Sequence, residues 1–170
     1  SRHCGIDILA TAPDPRAPSL ALLTEAAEPL GVRPRKGDRW EDLYFRIFLE
    51  HIEPKLGIAR PTMLTDYPVS MAALSRPKAD DPRLAERFEL YAAGLELANA
   101  FSELTDADEQ RRRFAAWRRA KEARYGMAYP VDEELLAALP AMPECAGIAL
   151  GIDRLHHQHG RGHIGLVGGV

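Results

Sequence analysis

Apolar residues recur at helical spacing through residues 40–52, where Trp40, Leu43, Tyr44, Ile47, Phe48, His51 and Ile52 share one face. Asp38 followed by Glu41 has the form of a capping box, and Pro54 with Gly57 ends the run, so a helix is predicted there. His51 on that face reads as a partly buried histidine and not as a ligand. Ser19 can cap an earlier helix over residues 20–30, closed by Pro29-Leu30-Gly31, with the basic loop at residues 33–37 between the two. Pro13, Pro15 and Pro18 favour a loop-like lead-in over residues 1–18. Residues 62–65, between Pro61 and Pro68, suit a short strand entering a turn, and the polar residues 75–83 suit a loop. Thr105 or Asp106 can cap a helix reaching Arg124, with Phe114 and Trp117 as its buried candidates. On that helix Arg111-Arg112-Arg113 and Arg118-Arg119 read as a solvated face, the alternative being a patch for an acidic protein or RNA. A short helix over residues 132–139 and a strand over residues 147–152 complete the pattern.

The stretch from residue 84 to 104, LAERFELYAAGLELANAFSEL, fits two patterns. Glu89, Glu96 and Glu103 recur every seven residues, which suits the solvated stripe of an amphipathic helix backed by Leu84, Phe88, Tyr91 and Leu95. Gly94 and Asn99 weaken a helix interior, and they suit two strands meeting at Ala92-Ala93-Gly94 equally well. In either case, carboxylates among so many apolar side chains must be exposed, paired with cations or bound to metal.

A length of 170 residues with 46% hydrophobic content allows one domain with a real core. A net charge of -3, with the basic residues spread along the chain, excludes a global field for nonspecific nucleic-acid binding. Cys4 and Cys145 are too few for a disulfide framework and read as reduced thiols of a cytoplasmic protein; no apolar run reaches membrane-spanning length. The end, from His156 onward, carries four histidines and five glycines. It reads as an atypical, unstructured tail over residues 156–170, with Zn²⁺ or Ni²⁺ binding as the alternative.

Two ordered motifs carry a resemblance. Arg87-Phe88-Glu89-Leu90-Tyr91 followed by residues 94–106, GLELANAFSELTD, resembles the active-site strands of class II lysyl-tRNA synthetases. Residues 147–155, GIALGIDRL, resemble motif 3 of that class, the strand and helix start that carry an ATP-binding arginine. The wording ELANAFSEL, with Pro68, Ser70 and Leu74 upstream and Cys145-Ala146-Gly147 before motif 3, is most similar to the elongation factor P lysine ligases, short relatives without an anticodon-binding domain. The resemblance is strongest over residues 38–155, within a partial catalytic domain taken as residues 1–155. It implies an α+β fold, an antiparallel sheet flanked by helices as in class II aminoacyl-tRNA synthetases, here incomplete.

The chemistry it implies is activation of a carboxylate by ATP, with Mg²⁺ and cationic side chains managing the triphosphate charge. By resemblance, Glu89 and Glu96 are the Mg²⁺- and ATP-holding acids, Asn99 contacts the substrate carboxylate and Glu103 receives the side-chain ammonium. Arg154 contacts the γ-phosphate, and Gly151 lets the backbone approach the adenine. Ala149 stands where lysyl-tRNA synthetases typically carry Gly, which points to a shifted substrate such as β-lysine over lysine. Taken singly, each residue has a structural explanation: exposed strand acids, a turn-forming Asn99, an Asp153–Arg154 surface pair.

Motif 1, used by the class for homodimer formation, and motif 2, with its α-phosphate arginine, are not found in these residues. The expectation is therefore an impaired ligase acting on elongation factor P. A lysyl-tRNA synthetase fragment acylating tRNA and a non-catalytic nucleotide-binding domain are the alternatives. The motif 3 helix is expected to be short or absent, since the apolar pattern stops at Leu155.

Overall fold

The acid-bearing stretch folds as a hairpin, and the helical reading of its seven-residue spacing is overturned. Ala93 and Gly94 both take positive φ, 49° and 77°, the geometry of a two-residue turn that matches the twist of antiparallel strands. The computed structural model describes residues 3–127 and 129–160, with residues 157–160 described by backbone alone. Four strands, β1 (Thr62–Pro68), β2 (Leu84–Ala92), β3 (Leu95–Ser102) and β4 (Ala146–Leu150), form an antiparallel sheet in the order β1-β2-β3-β4. The architecture is α+β, as the sequence implied.

A glycine holds the hairpin turn against the layer beneath it. Gly57 (φ +70°) accepts a 2.7 Å hydrogen bond from Ala93 N, and a Cβ added there would sit 2.7 Å from Ala92 N. Close backbone approach is what a glycine permits. At the other end of β1, Asp66 (φ 61°) marks a register slip between Thr65 and Tyr67. Lys78 donates to Asp66 Oδ1 at 2.8 Å, tying residues 75–83 to the sheet edge, and Ser75 and Pro77 bridge to Glu103 and Ala85.

Helix α1 (Leu20–Ala27) starts at Ser19, whose Oγ accepts from Leu22 N at 3.3 Å, and a 3-10 turn ends at Gly31 in the left-handed region. Helix α2 (Trp40–Ile47) continues through a wider turn at Phe48–Ile52 and a 3-10 turn at Glu53–Lys55. Its cap differs from the expectation by one residue: Arg39 N donates to Asp42 at 2.9 Å, and Glu41 takes no part. Asp38 instead accepts from Arg35 N (2.7 Å) and Arg46 Nη2 (2.8 Å). Leu23, Ala27, Trp40, Leu43 and Ile47 form one core with Ile6 and Ala12, so the proline-containing lead-in is packed and not merely a loop. Trp40 Nε1 donates to Thr11 Oγ1 at 3.0 Å inside it. His51 is half-buried.

Helix α3 (Ala107–Tyr125) begins where Asp106 Oδ1 accepts from Asp108 N and Glu109 N. The expected apolar anchors do not hold it: Trp117 is 54% exposed and Phe114 only half-buried. Its contacts are polar. Gln110 Nε2 donates to Ala73 O at 3.2 Å, and Arg113 Nη1 donates to Ala72 O and Ser75 O at 2.8 Å each, so Arg113 is a tether and not part of a solvated face. The helix is too charged to own an apolar stripe, so it docks through hydrogen bonds to loop carbonyls. Arg111 forks onto Glu133 of α4 (Glu133–Ala138). Helix α5 (Ile152–Gly160) follows β4 directly, so the motif 3 helix is present and passes the expected stop at Leu155. Helix therefore covers residues 156–160 of the tail expected to be unstructured, while residues 161–170 and the side chains of the second and third tail histidines lie outside the described residues. Cys4 and Cys145 are both free thiols, and no described helix is long and apolar enough to cross a membrane.

Two predictions follow from this frame. Gly57→Ala, which combines a left-handed backbone with a clash against Ala92, is expected to destabilise the protein by about 2–4 kcal/mol in urea unfolding. The backbone hydrogen bond from Arg35, and then Arg46, holds the Asp38 carboxyl below its ordinary value of 3.8. A depressed carboxylate stabilises above its unfolded pKa, and this is lost as pH falls through the folded one. Asp38→Asn should therefore lower Tm at pH 7, and the gap to the parent should close as pH falls below 3.8 and through the lowered folded value.

Candidate functional site

Strand register decides which side chains share a face. Glu89 pairs with Asn99, and Asn99 pairs with Ala149, so these three project from the same side of β2, β3 and β4. Arg87 and Tyr91 flank Glu89 on that side, and Gly147 lies two residues before Ala149. Glu96 is three residues from Asn99, an odd interval that a regular strand would send to the opposite face. The register corrects this. Leu90 pairs with Ala98 while Tyr91 pairs with Glu96, so β3 carries one extra residue and Glu96 returns to the Glu89 side.

Glu89 is 7% exposed, not the solvated strand acid that its spacing allowed. Its Oε1 accepts from Arg87 Nη2 at 2.5 Å and its Oε2 from the Tyr91 hydroxyl at 2.7 Å. A buried carboxylate held this way keeps its charge compensated. The same guanidinium donates from Nε to Asn99 Oδ1 at 3.2 Å and from Nη1 to Met71 O at 2.8 Å, with its plane 4.3 Å over the Tyr67 ring. Burial, then the Glu89 carboxylate, raises the Tyr67 and Tyr91 hydroxyl pKa values far above normal. Burial together with Glu89 also pushes Tyr44 up to about 12, so all three hydroxyls stay neutral across the physiological range. The Tyr67 hydroxyl and Ser70 Oγ are buried without a partner among the described residues.

Arg154, in the first turn of α5, reaches back to β3. Its Nη1 donates to Glu96 O at 2.8 Å and lies 3.5 Å from Glu96 Oε2, so it does not pair with Asp153. Gly151 makes that possible, because a Cβ there would meet Arg154 Cδ at 3.3 Å; Gly151 N also donates to Leu97 O at 2.8 Å. Glu103 lies over Gly147, whose added Cβ would stand 3.0 Å from Glu103 Oε1. Gly147 and Ala149 thus floor the strip between Asn99 and Glu103.

The seven predicted residues Glu89, Glu96, Asn99, Glu103, Ala149, Gly151 and Arg154 are therefore assembled along one face and its β4–α5 corner. Sequence reasoning missed Arg87, Tyr91 and Tyr67 as members of this group. The i, i+2 spacing of Arg87, Glu89 and Tyr91 was the available signal once the stretch is known to be a strand. The site is an open strip. A cavity of about 160 Å³ lies beside it, between α2 and β1, lined by Cys4, Ile6, Tyr44, Phe48 and Leu64 and by none of the seven.

Among the described residues, no three His, Cys, Asp or Glu side chains converge into a cation site. Glu89 and Glu96 are hard oxygen donors on one face, the type Mg²⁺ takes one or two of beside waters and substrate phosphates; Glu96 is the more open of the two, since both Glu89 oxygens already accept from Arg87 and Tyr91.

A family model for class II tRNA synthetases (D, K and N) matches residues 41–159. The chain belongs to this family. It is 47% identical over 146 residues to the elongation factor P (R)-beta-lysine ligase of Pectobacterium carotovorum, covering 84% of this chain and 45% of that protein. The ligase of the same name from Proteus mirabilis is 49% identical over 110 residues, 64% of this chain and 34% of that protein. That of Sodalis glossinidius is 43% identical over 158 residues, 91% and 46%. This class II chain thus spans about half the length of the curated relatives it matches. The antiparallel sheet carrying the strip, with a helix starting directly after β4, is the class II architecture expected from the sequence.

The buried Glu89 gives a prediction of its own. Tyr91→Phe removes a donor from a buried carboxylate and is expected to cost about 1.5–3 kcal/mol of stability in urea unfolding. Tyr125→Phe, at an exposed tyrosine, should cost close to nothing in the same measurement.

Proposed function

We propose that the chain is part of the catalytic domain of an elongation factor P lysine ligase, which activates lysine or β-lysine with ATP and transfers it to a lysine of elongation factor P. The observation that carries this reading is the single strip bearing Glu89, Glu96, Asn99 and Glu103, with the Arg154 guanidinium at one end. Acids for an ammonium and a metal, an amide for a carboxylate and a guanidinium for a phosphate meet the needs of a zwitterionic amino acid beside a triphosphate.

In the first step an oxygen of the substrate carboxylate attacks the α-phosphorus of ATP. The bond from that phosphorus to the bridging oxygen breaks, and pyrophosphate leaves. In the second, a neutral acceptor amine attacks the acyl carbon, AMP leaves and the amine proton passes to solvent. Asn99 binds the carboxylate and Glu103 the side-chain ammonium, over the floor of Gly147 and Ala149. The Ala149 methyl narrows that floor, and a single methyl gives only modest discrimination between β-lysine and lysine. Arg154 exchanges the Glu96 carbonyl for the γ-phosphate, beside the Gly151 backbone that lies against the adenine. Glu89 and Glu96 would hold Mg²⁺, which when bound neutralises phosphate charge and polarises the oxygens.

The arginine that the class uses on the α-phosphate belongs to motif 2, which is not found in these residues. Alone, the chain is therefore a weak ligase, and a polypeptide supplying motifs 1 and 2 would restore activity and the family's homodimer. The names of the relatives and Ala149 favour elongation factor P over tRNA as acceptor. The closed Arg87–Glu89 pair favours the other reading, a domain that binds nucleotide without catalysis. The proposed setting is the cytoplasm.

Isothermal titration with ATP and Mg²⁺ tests this. Saturable binding that needs the metal and weakens at least tenfold in both Glu96→Ala and Arg154→Ala is expected; a folded chain that binds no nucleotide would refute the reading. Single-turnover lysyl-adenylate formation then separates the ligase from a domain that only binds.

A further inference from the structure

We propose that Arg87 is a positioning residue for carboxylate recognition, acting through the Asn99 side chain; this rests on the reading of Asn99 as the contact of the substrate carboxylate. An asparagine amide has an accepting end and a donating end, and only the donating end suits a carboxylate. Free to rotate, it would present its oxygen as readily as its nitrogen, and the oxygen would repel the ligand. In this structure Arg87 Nε donates to Asn99 Oδ1 at 3.2 Å, so the accepting end is occupied and Nδ2 is left to donate. Among the described residues Nδ2 donates to no protein group.

Arg87 can impose this orientation because it is itself fixed on every side. Nη1 donates to Met71 O at 2.8 Å, Nη2 to Glu89 Oε1 at 2.5 Å, and the guanidinium plane rests 4.3 Å from the Tyr67 ring centroid. Its side chain is only 18% exposed. A planar fork with donors in set directions can satisfy all three acceptors at once, and a lysine ammonium, a point charge on a flexible stem, cannot reproduce that geometry. The guanidinium therefore links the residue that reads the amino acid, Asn99, to the acid proposed to hold the metal, Glu89. Arg87 touches no reacting atom in this scheme.

The test uses the whole chain with two probes, L-lysine and 1,5-diaminopentane, which keeps both amines and lacks the carboxylate. The parent is expected to bind lysine more tightly than the diamine. Arg87→Lys should lose roughly 10- to 100-fold of that preference, the scale of one hydrogen bond to a charged group, with diamine binding unchanged. Asn99→Ala should lose the same preference, and the double variant should be no worse than either single one, because the two act as one unit. A preference kept in Arg87→Lys, or additive losses in the double variant, would overturn the positioning role while leaving the Asn99 reading intact. A parent that binds both probes equally overturns the Asn99 reading and this inference together, so the two failures are told apart by which protein shows them. One readout needs no variant and no ligand: the Arg87 Nε–H proton of the parent should exchange slowly in NMR, and fast exchange would overturn the proposal.

Discussion

Everything at the site depends on the register between β2 and β3. Side chains alternate along a strand, so a group of four residues at positions 89, 96, 99 and 103 cannot share a face in two regular strands: the interval from 96 to 99 is odd. The extra residue near Leu97 resolves the conflict by letting Tyr91 pair with Glu96 directly after Leu90 has paired with Ala98. The turn at Ala93-Gly94 fixes where counting begins, and the close seat of that turn on Gly57 keeps it from sliding. A small irregularity in one strand thus assigns the chemistry to one side of the sheet.

The second constraint is electrostatic. Burying Glu89 removes most of its hydration, and the sheet compensates with a guanidinium, a tyrosine hydroxyl and an aromatic ring stacked behind the cation. Tyr91 and Phe48 bury the far end of the same arrangement with Leu56, so α2 and its continuation act as the lid of this network as well as a core element. The opposite face differs in character. Met63, Ile148 and Leu150 are 58%, 64% and 47% exposed there, an apolar surface with the Arg76–Glu86 ion pair at one end.

Much of this was legible in the sequence, for physical reasons that can be named. Ser19 and Asp106 act as caps where the sequence offered them, and Asp132 caps the short helix it was expected to begin, because a short oxygen-bearing side chain satisfies the free amides of a first turn wherever it precedes one. The hairpin was less legible, because a seven-residue recurrence of acids suits both helix and bulged strands, and only the Ala93-Gly94 turn separates them. The bulge itself left no mark in residue type. Trp117 misled because a large aromatic on a helix suggests core, whereas here it lies under the Lys121 ammonium, 3.9 Å from its ring centroid, on the surface. The site residues came from resemblance, and Arg87 stayed hidden because its i, i+2 spacing from Glu89 signals a shared face only once the stretch is known to be a strand.

The hairpin also sets an order of assembly. Glu89, Glu96, Asn99 and Glu103 are joined through a loop of two residues, whereas β4 returns to β3 only after residues 103–145. Closing the longer loop costs about 2–3 kcal/mol more chain entropy, so local closure precedes it along the folding route. The part of the strip borne on the hairpin is therefore encoded by neighbours in sequence and forms early. The β4–α5 corner, with Gly151 and Arg154, is a late arrival whose docking depends on how completely the intervening helices have settled.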